Sequence, residues 1–234
     1  MDVLLLDSGG LNMKQKTIGI LGLGIFGSSV CKTLANYDCD VIAIDLDIKN
    51  VHRIEEYVTT CAQGDITDFD TLKNLGLDNC DTVIISTGSN LEATILAILN
   101  VKQLGVDNII VKARNKTYMN IFNQLGCNRI VRPEREMGEK IARDLMRNKI
   151  VDAIDLDEEN AIIEFLVPSS WLNKSLVELD VRRNYNINVI GYRDSKNHKL
   201  NLSLDADFRF KDKQIVVAIG NIDHFEQLDL NNKL

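Results

Sequence analysis

From Thr17 to about Lys149 short apolar runs alternate with stretches whose apolar positions recur at helical spacing. Asp40–Asp45, Val58–Gln63, Asp81–Ser86, Asn108–Lys112 and Asn128–Val131 read as strands, with a further one ending at Leu21. Between them lie helical patterns: one after Gly27, Ile48–Tyr57, and a short one carrying Leu72 and Leu75 behind a Thr67 or Asp68 cap. Ser89-Asn90-Leu91-Glu92 has the capping-box form and opens a longer helix to about Leu104, and Lys116–Leu125 follows. Such alternation predicts an α/β fold, a Rossmann-like doubly wound parallel sheet. Pro133 suits the first turn of a helix starting near Glu134. That helix brings Met137, Ile141 and Leu145 onto one face, with Ala142 and Met146 beside them. Spacing alone leaves core packing and a contact with another subunit equally open.

From Asp152 the texture changes to short strands, at Asp152–Leu156, Ala161–Val167, Ile187–Arg193 and Gln214–Gly220. Helices are expected at Ser175–Leu179 and near Asp223–Leu228. The chain therefore divides into residues 1–15, a leader without function; 16–150, a nucleotide-binding domain; and 151–234, a small α+β domain. Met13-Lys14-Gln15-Lys16 looks like a second, more natural start, and Met1–Asn12 has no basic segment ahead of its apolar residues, so it is not a signal peptide.

The first strand runs into Gly22-Leu23-Gly24-Ile25-Phe26-Gly27, a G-x-G-x-x-G that leads into a helix. Gly22 would permit the tight turn, Gly24 would let a pyrophosphate approach the backbone, and Gly27 would let the helix pack on the sheet. The helix N-terminus would face the phosphates with unpaired N–H groups and the positive end of its dipole. Glycines also serve ordinary turns, so context decides. Asp45 ends the second strand 18 residues after Gly27, close to the spacing of about 20 expected of a ribose-binding carboxylate. Asp45→Ala should then weaken ribose-containing ligands and leave the fold intact.

Composition narrows the choice of partner. The 234 residues carry 34 acids against 27 bases, a net charge of −7, and no basic, aromatic-interleaved run, which argues against nucleic acid. Five cysteines without C-x-x-C, mostly in apolar segments, read as buried reduced thiols. His52, His198 and His224 have no ligand spacing, so no zinc site is assigned. The longest apolar run is well short of the roughly 20 residues a membrane span needs.

Reaction chemistry is harder to find. A dehydrogenase needs a proton donor or acceptor aimed at its substrate. The one Tyr-x-x-x-Lys spacing, Tyr192 to Lys196, runs from a predicted strand into a turn, so the side chains should diverge. Ser86 and Ser169-Ser170 have no nearby histidine, and Asp205, Asp207 and Asp212 read as solvated loop. A parallel sheet instead places a ligand outside the carboxyl ends of its strands. Those ends hold Asp45-Leu46-Asp47, Gly64-Asp65-Ile66, Thr87-Gly88, Lys112 with Arg114, and Pro133-Glu134. Lys112 at the end of a buried strand needs a counter-charge, either a phosphate or one of the nearby acids. Glu134 could complement its helix dipole, or hold Mg²⁺ or Ca²⁺ if phosphate or a second subunit completes the shell.

Taken together, the glycine turn, Asp45, Gly64-Asp65-Ile66-Thr67-Asp68, Thr87-Gly88 with Asn90, and Pro133-Glu134 with Gly138 resemble the RCK (regulator of K⁺ conductance) family. Asn173–Arg182 resembles the start of that family's C-terminal lobe, and the order suits free-standing KtrA/TrkA-type subunits of bacterial K⁺ uptake systems. The resemblance implies a cytoplasmic, non-enzymatic regulator bound peripherally to the membrane through its partner. It implies homodimers assembled into a ring beneath a membrane K⁺ translocating subunit (KtrB/TrkH-like), with ATP, ADP or NAD(H) in the N-lobe. The helix from 134 to 149 would be the family's crossover. By position Asp45 would hold ribose, Gly24–Gly27 the phosphates, Asp65-Ile66 the adenine side, and Lys112 with Glu134 the phosphate and metal end. Asp180, Arg182 and Asn188 fall where some members bind cyclic di-AMP. Ile25 departs from the arginine that KtrA-like members often place after the second glycine to reach phosphates from the neighbouring subunit. The C-lobe also lacks the usual Pro near Ser203 and Gly-Asp near Lys211-Asp212. The rival reading is an NAD(P)-dependent oxidoreductase with a small capping domain.

Overall fold

The computed structural model describes residues 15–87, 90–205 and 207–231. The chain forms two compact units, one up to Arg135 and one from Glu136. The first alternates strands β1 (Lys16–Leu21), β2 (Cys39–Asp45), β3 (Thr60–Gln63), β4 (Thr82–Ile85), β5 (Ile109–Lys112) and β6 (Arg129–Val131) with helices. The helices are α1 (Ile25–Leu34), α2 (Ile48–His52), α3 (Phe69–Asn74), α4 (Leu91–Gln103) and α5 (Lys116–Gln124). Among the described residues the strands form one parallel sheet ordered β3-β2-β1-β4-β5-β6. The order reverses between β1 and β4, and that switch point opens a crevice at the strands' carboxyl ends. Ile20, Leu21, Ala43, Ile44, Val83 and Ile85 are fully or almost fully buried, as near-continuous apolar strands covered on both faces should be.

Polar caps start the helices. Asp68 accepts from Asp70 N and Thr71 N at the head of α3, which selects Asp68 over Thr67 as the cap. Asn90 caps α4 by accepting from Ala93 N, while Ser89, the proposed first residue of a capping box, lies outside the described residues. The helix expected over Ile48–Tyr57 is broken. It ends at His52, and a 3₁₀ turn at Glu55–Tyr57 follows. Val51 and Ile54 are both buried, and after them the chain must turn back to lay β3 beside β2.

Helix α6 (Pro133–Met146) begins in the first unit and continues into the second, so the division falls inside it. None of its residues is buried within the chain. Met137, Ile141, Leu145 and Met146 are 52 to 79% exposed. The second unit then forms β7 (Ile150–Asp155), β8 (Asn160–Leu166), α7 (Leu176–Leu179), α8 (Val181–Tyr185), β9 (Asn188–Arg193), β10 (Ile215–Asn221) and α9 (Ile222–Leu230). Its strands pair antiparallel in the order β7-β8-β10-β9. Phe165, Trp171, Phe210 and Phe225 are fully buried, with ring centroids 5.5 to 5.7 Å apart from Trp171 to Phe165 and Phe210 and from Phe165 to Phe225. A capping box between Ser175 and Glu178 starts α7. The sequence pattern does not announce α8, which is entered at Asp180 and left at Asn186, both in the left-handed region.

Candidate nucleotide-binding cleft

The glycine turn begins where β1 ends in fully buried Leu21. Gly22 has φ +95°, and its N–H donates to the Ile44 carbonyl at 2.8 Å, which ties the turn to β2. Gly27 serves packing. A Cβ there would lie 2.0 Å from the Gly22 carbonyl oxygen, so α1 approaches β1 only because the side chain is missing. Gly24, at the N-cap of α1, is different. A Cβ on it would meet nothing within 4 Å, so the backbone faces open space. The first turn of a helix cannot satisfy its own N–H groups, and here they stand beside that space.

Asp45 closes the other side of the turn. Its Oδ2 accepts from the Leu23 N–H at 2.5 Å, and its Oδ1 accepts from Asp47 N at 2.8 Å and Asn50 Nδ2 at 3.1 Å. The carboxylate therefore braces the glycine turn as well as facing the crevice. Leu23 is fully buried, so removing its acceptor would strand a buried donor. Asp45→Ala would therefore cost the turn a buried acceptor as well as a ligand contact, a consequence that spacing alone does not reveal. Asn50 went unnoticed in the sequence; its signal, an amide one helical turn past the acid, is weak.

Two clefts meet at the switch point. One, of about 570 Å³, is lined by Gly22, Gly24, Asp45, Asn50, Ser86, Thr87, Lys112, Arg114 and Glu134. The other, of about 440 Å³, shares Gly22, Asp45 and Thr87 and adds Leu46, Gly64, Asp65, Ile66 and Thr67, with Asn90, Glu92, Ala93 and Leu96 from the start of α4. Each is within the size range of small-molecule sites. Residues from the ends of six strands thus converge, as the sequence reading expects. Of its other candidates, Gly27 lies under the turn and Ile25 is 95% exposed. Phe26 sets its ring 6.0 Å from the Lys112 ammonium, while the Asp47 carboxylate caps α2 by accepting from Lys49 N. Gly88 lies outside the described residues.

Charge is unevenly placed in the larger cleft. Lys112 and Arg114 bring cations, and Lys112 is paired with Glu134 at 2.5 Å. Of the two partners considered for Lys112, the chain itself supplies the acid. The hydrogen bond from Lys112 holds the Glu134 carboxyl below its ordinary value of 4.5, helped by its own backbone N–H. Lys112 is mostly covered and Glu134 mostly open to solvent. Among the described residues no three His, Cys, Asp or Glu side chains gather closely enough to hold a metal ion.

Further along, Asp65 Oδ1 accepts from the N–H and hydroxyl of Thr67, holding the β3 loop at the edge of the smaller cleft. In the second unit Arg182 donates through Nε and Nη2 to Asn188 Oδ1 at 2.9 and 2.7 Å, whereas Asp180 faces Arg183 at 3.7 Å. The structure joins two of those three candidates. Tyr192 lies on β9 and Lys196 in the turn beyond it, and Tyr192's hydroxyl accepts from Asn201.

A 3-2-1-4-5-6 parallel sheet, an open glycine turn and a carboxylate at the end of β2 define a Rossmann-like domain, followed here by a small antiparallel α+β domain. Residues 18–133 match the TrkA-N domain and residues 161–231 the TrkA-C domain. The chain belongs to the RCK family, in its KtrA/TrkA-type branch. Ktr system potassium uptake protein C of Bacillus subtilis (strain 168) is 35% identical over 222 residues, spanning 94% of this chain and all of that protein. Ktr system potassium uptake protein A of Vibrio alginolyticus is 32% identical, over 76% of this chain and 81% of that one. Among solved structures, the GsuK RCK domain aligns with a TM-score of 0.60 and 17% identity, over 93% of this chain and 48% of the other. A GsuK channel bound to NAD aligns with a TM-score of 0.61 and 16% identity, over 94% of this chain and 40% of the other. This chain thus spans half or less of those longer chains, and the likeness concerns the fold.

Proposed function

We propose that the protein is a nucleotide-sensing gating subunit that regulates a membrane K⁺ transporter from the cytosolic face. The carrying observation is the cleft at the switch point, open over Gly24 and flanked by Asp45 on one side and Lys112 and Arg114 on the other. An anion fits the Gly24 and Lys112 end, and hydroxyl donors fit Asp45. ATP, ADP or NAD(H) combines both chemistries. The names of the relatives, potassium uptake proteins, support the regulatory reading, as does the NAD bound to a channel of the same fold. In this reading the protein makes and breaks no bond. Dimers assemble into a ring, with α6 as the contact helix, and meet a translocating subunit of the KtrB/TrkH kind. Two nucleotides that favour different ring shapes would bias the pore by roughly 1–3 kcal/mol per coupled site, whereas equal affinity for both shapes would gate nothing. A Mg²⁺ or Ca²⁺ ion at Glu134 would need phosphate oxygens or a second subunit to complete its shell, because Glu134 already answers Lys112.

Mass spectrometry of ligand released from freshly purified protein tests the reading, followed by K⁺ flux in vesicles holding the translocating subunit. An adenine nucleotide is expected, with flux changing when the nucleotide is exchanged. Turnover of NADH with a carbonyl substrate would overturn it.

A further inference from the structure

Asp45 is held by a chain of donors that extends beyond the glycine turn. An ionised carboxylate offers about four lone-pair sites. Protein groups take three of them: Leu23 N on Oδ2, and Asp47 N with Asn50 Nδ2 on Oδ1. One site, on Oδ2, is left for a ligand donor. Asn50 also lines the larger cleft, and behind it the Arg53 guanidinium donates to Asn50 Oδ1. A guanidinium only donates and a carboxylate only accepts, so the two neighbours fix which way the amide faces. Arg53 is exposed and lies outside the residues that line the cleft, so it acts on the site through Asn50.

We infer that Asn50, clamped by Arg53, is a positioning residue that leaves Asp45 a single free acceptor, so that the site recognises one of the two ribose hydroxyls of a nucleotide and is indifferent to the other. The inference rests on the nucleotide reading above and deepens it. A hydroxyl bonded to a charged, part-buried acceptor is worth about tenfold in affinity. With Oδ1 saturated, the second hydroxyl gains nothing further from Asp45. Once Asn50 is removed, Oδ1 regains a free lone pair; once Arg53 is removed, the Asn50 amide loses the bond that holds its far side, and its restraint on Oδ1 loosens. The preference for one hydroxyl should then fade.

The test is calorimetry on the full chain with ATP, 2′-deoxy-ATP and 3′-deoxy-ATP. In the unaltered protein one deoxy analogue should bind about tenfold more weakly than ATP and the other within about threefold. Asn50→Ala and Arg53→Ala should each bring the two analogues to within about threefold of one another. Arg53→Lys, which keeps a donor for Asn50, should preserve the difference. A merely structural role would lower the affinity for all three ligands in parallel and leave the ratio unchanged, which would overturn the inference. So would equal losses for both analogues in the unaltered protein. Arg53 is at the surface, so its variants remain informative if Asn50→Ala fails to fold, as judged by circular dichroism. Failure of the unaltered protein to bind any of the three nucleotides would overturn the nucleotide reading itself. Binding with a ratio unmoved in the variants would overturn only the role of Asn50.

Discussion

The glycines of one motif have unequal physical work. Gly27→Ala forces a Cβ against a backbone oxygen, and overpacking of that kind costs about 1–3 kcal/mol or more, so its urea midpoint should fall markedly. Gly24→Ala meets open space. Its midpoint should stay close to that of the parent while its nucleotide affinity drops, because the added methyl stands where phosphate would approach. Calorimetry and urea melts on the two variants separate scaffold from ligand contact. Asp45 combines both jobs. Asp45→Ala should lose about 1–3 kcal/mol through the stranded Leu23 N–H, whereas Asp45→Asn keeps an acceptor oxygen. The cysteines add a chemical check. Burial pushes the Cys31 thiol up to about 12, with a smaller push from Cys61, and burial pushes Cys80 up to about 11. Thiolate is the reactive form. Iodoacetamide at pH 8 should therefore spare both in the native protein and alkylate them in urea, as read by peptide mass spectrometry.

At the scale of elements, much was legible because buried parallel strands leave a plain mark. Asp40–Asp45 and Asp81–Ser86 are apolar runs flanked by polar residues; the first lies within observed β2 and the second contains β4. Helix caps were legible in part: Asp68 was one of two residues offered for α3, whereas the capping-box pattern pointed to Ser89 for α4 and Asn90 accepts from the free N–H there. Other features depend on neighbours distant in sequence. The break after His52 follows from the need to place β3, and α8 depends on left-handed residues at both ends that are not glycine. The candidate site was legible as a set of loops, whereas the bond from Asp45 to Leu23 and the clamp on Asn50 were not. Both depend on side-chain direction, which spacing does not carry. The first turn of α6 makes a pH prediction. Glu134 titrates below its ordinary value while paired to Lys112, so the pair contributes in full above about 4.5 and is lost as pH falls through the lowered range. Glu134→Gln should therefore flatten the acid limb of the stability curve, measured by thermal melts between pH 3 and 7, with little change at pH 7 because the residue is mostly solvent-exposed.

For the whole molecule, the expectation turns on Ile25, 95% exposed, which stands where the family resemblance implies an arginine that would reach a bound phosphate. Without that cation the terminal phosphate of ATP has one fewer partner. ATP and ADP affinities should differ by less than about tenfold, or about 1.4 kcal/mol, by calorimetry. Ile25→Arg should widen the gap. A wider gap in the unaltered chain would show that other groups read the terminal phosphate.

Helix α6 has a consequence that no single protomer can express. None of its 14 residues is buried within the chain, and a lone helix of about that length is marginal in water. Its persistence would then be governed by mass action: each dilution would withdraw the surface that keeps it wound, and the melting temperature would climb with protein concentration. Melts over a hundredfold range of dilution, with Ile141→Asp as the variant that should abolish the trend, would reveal whether a cell tunes the protein by how much of it is made.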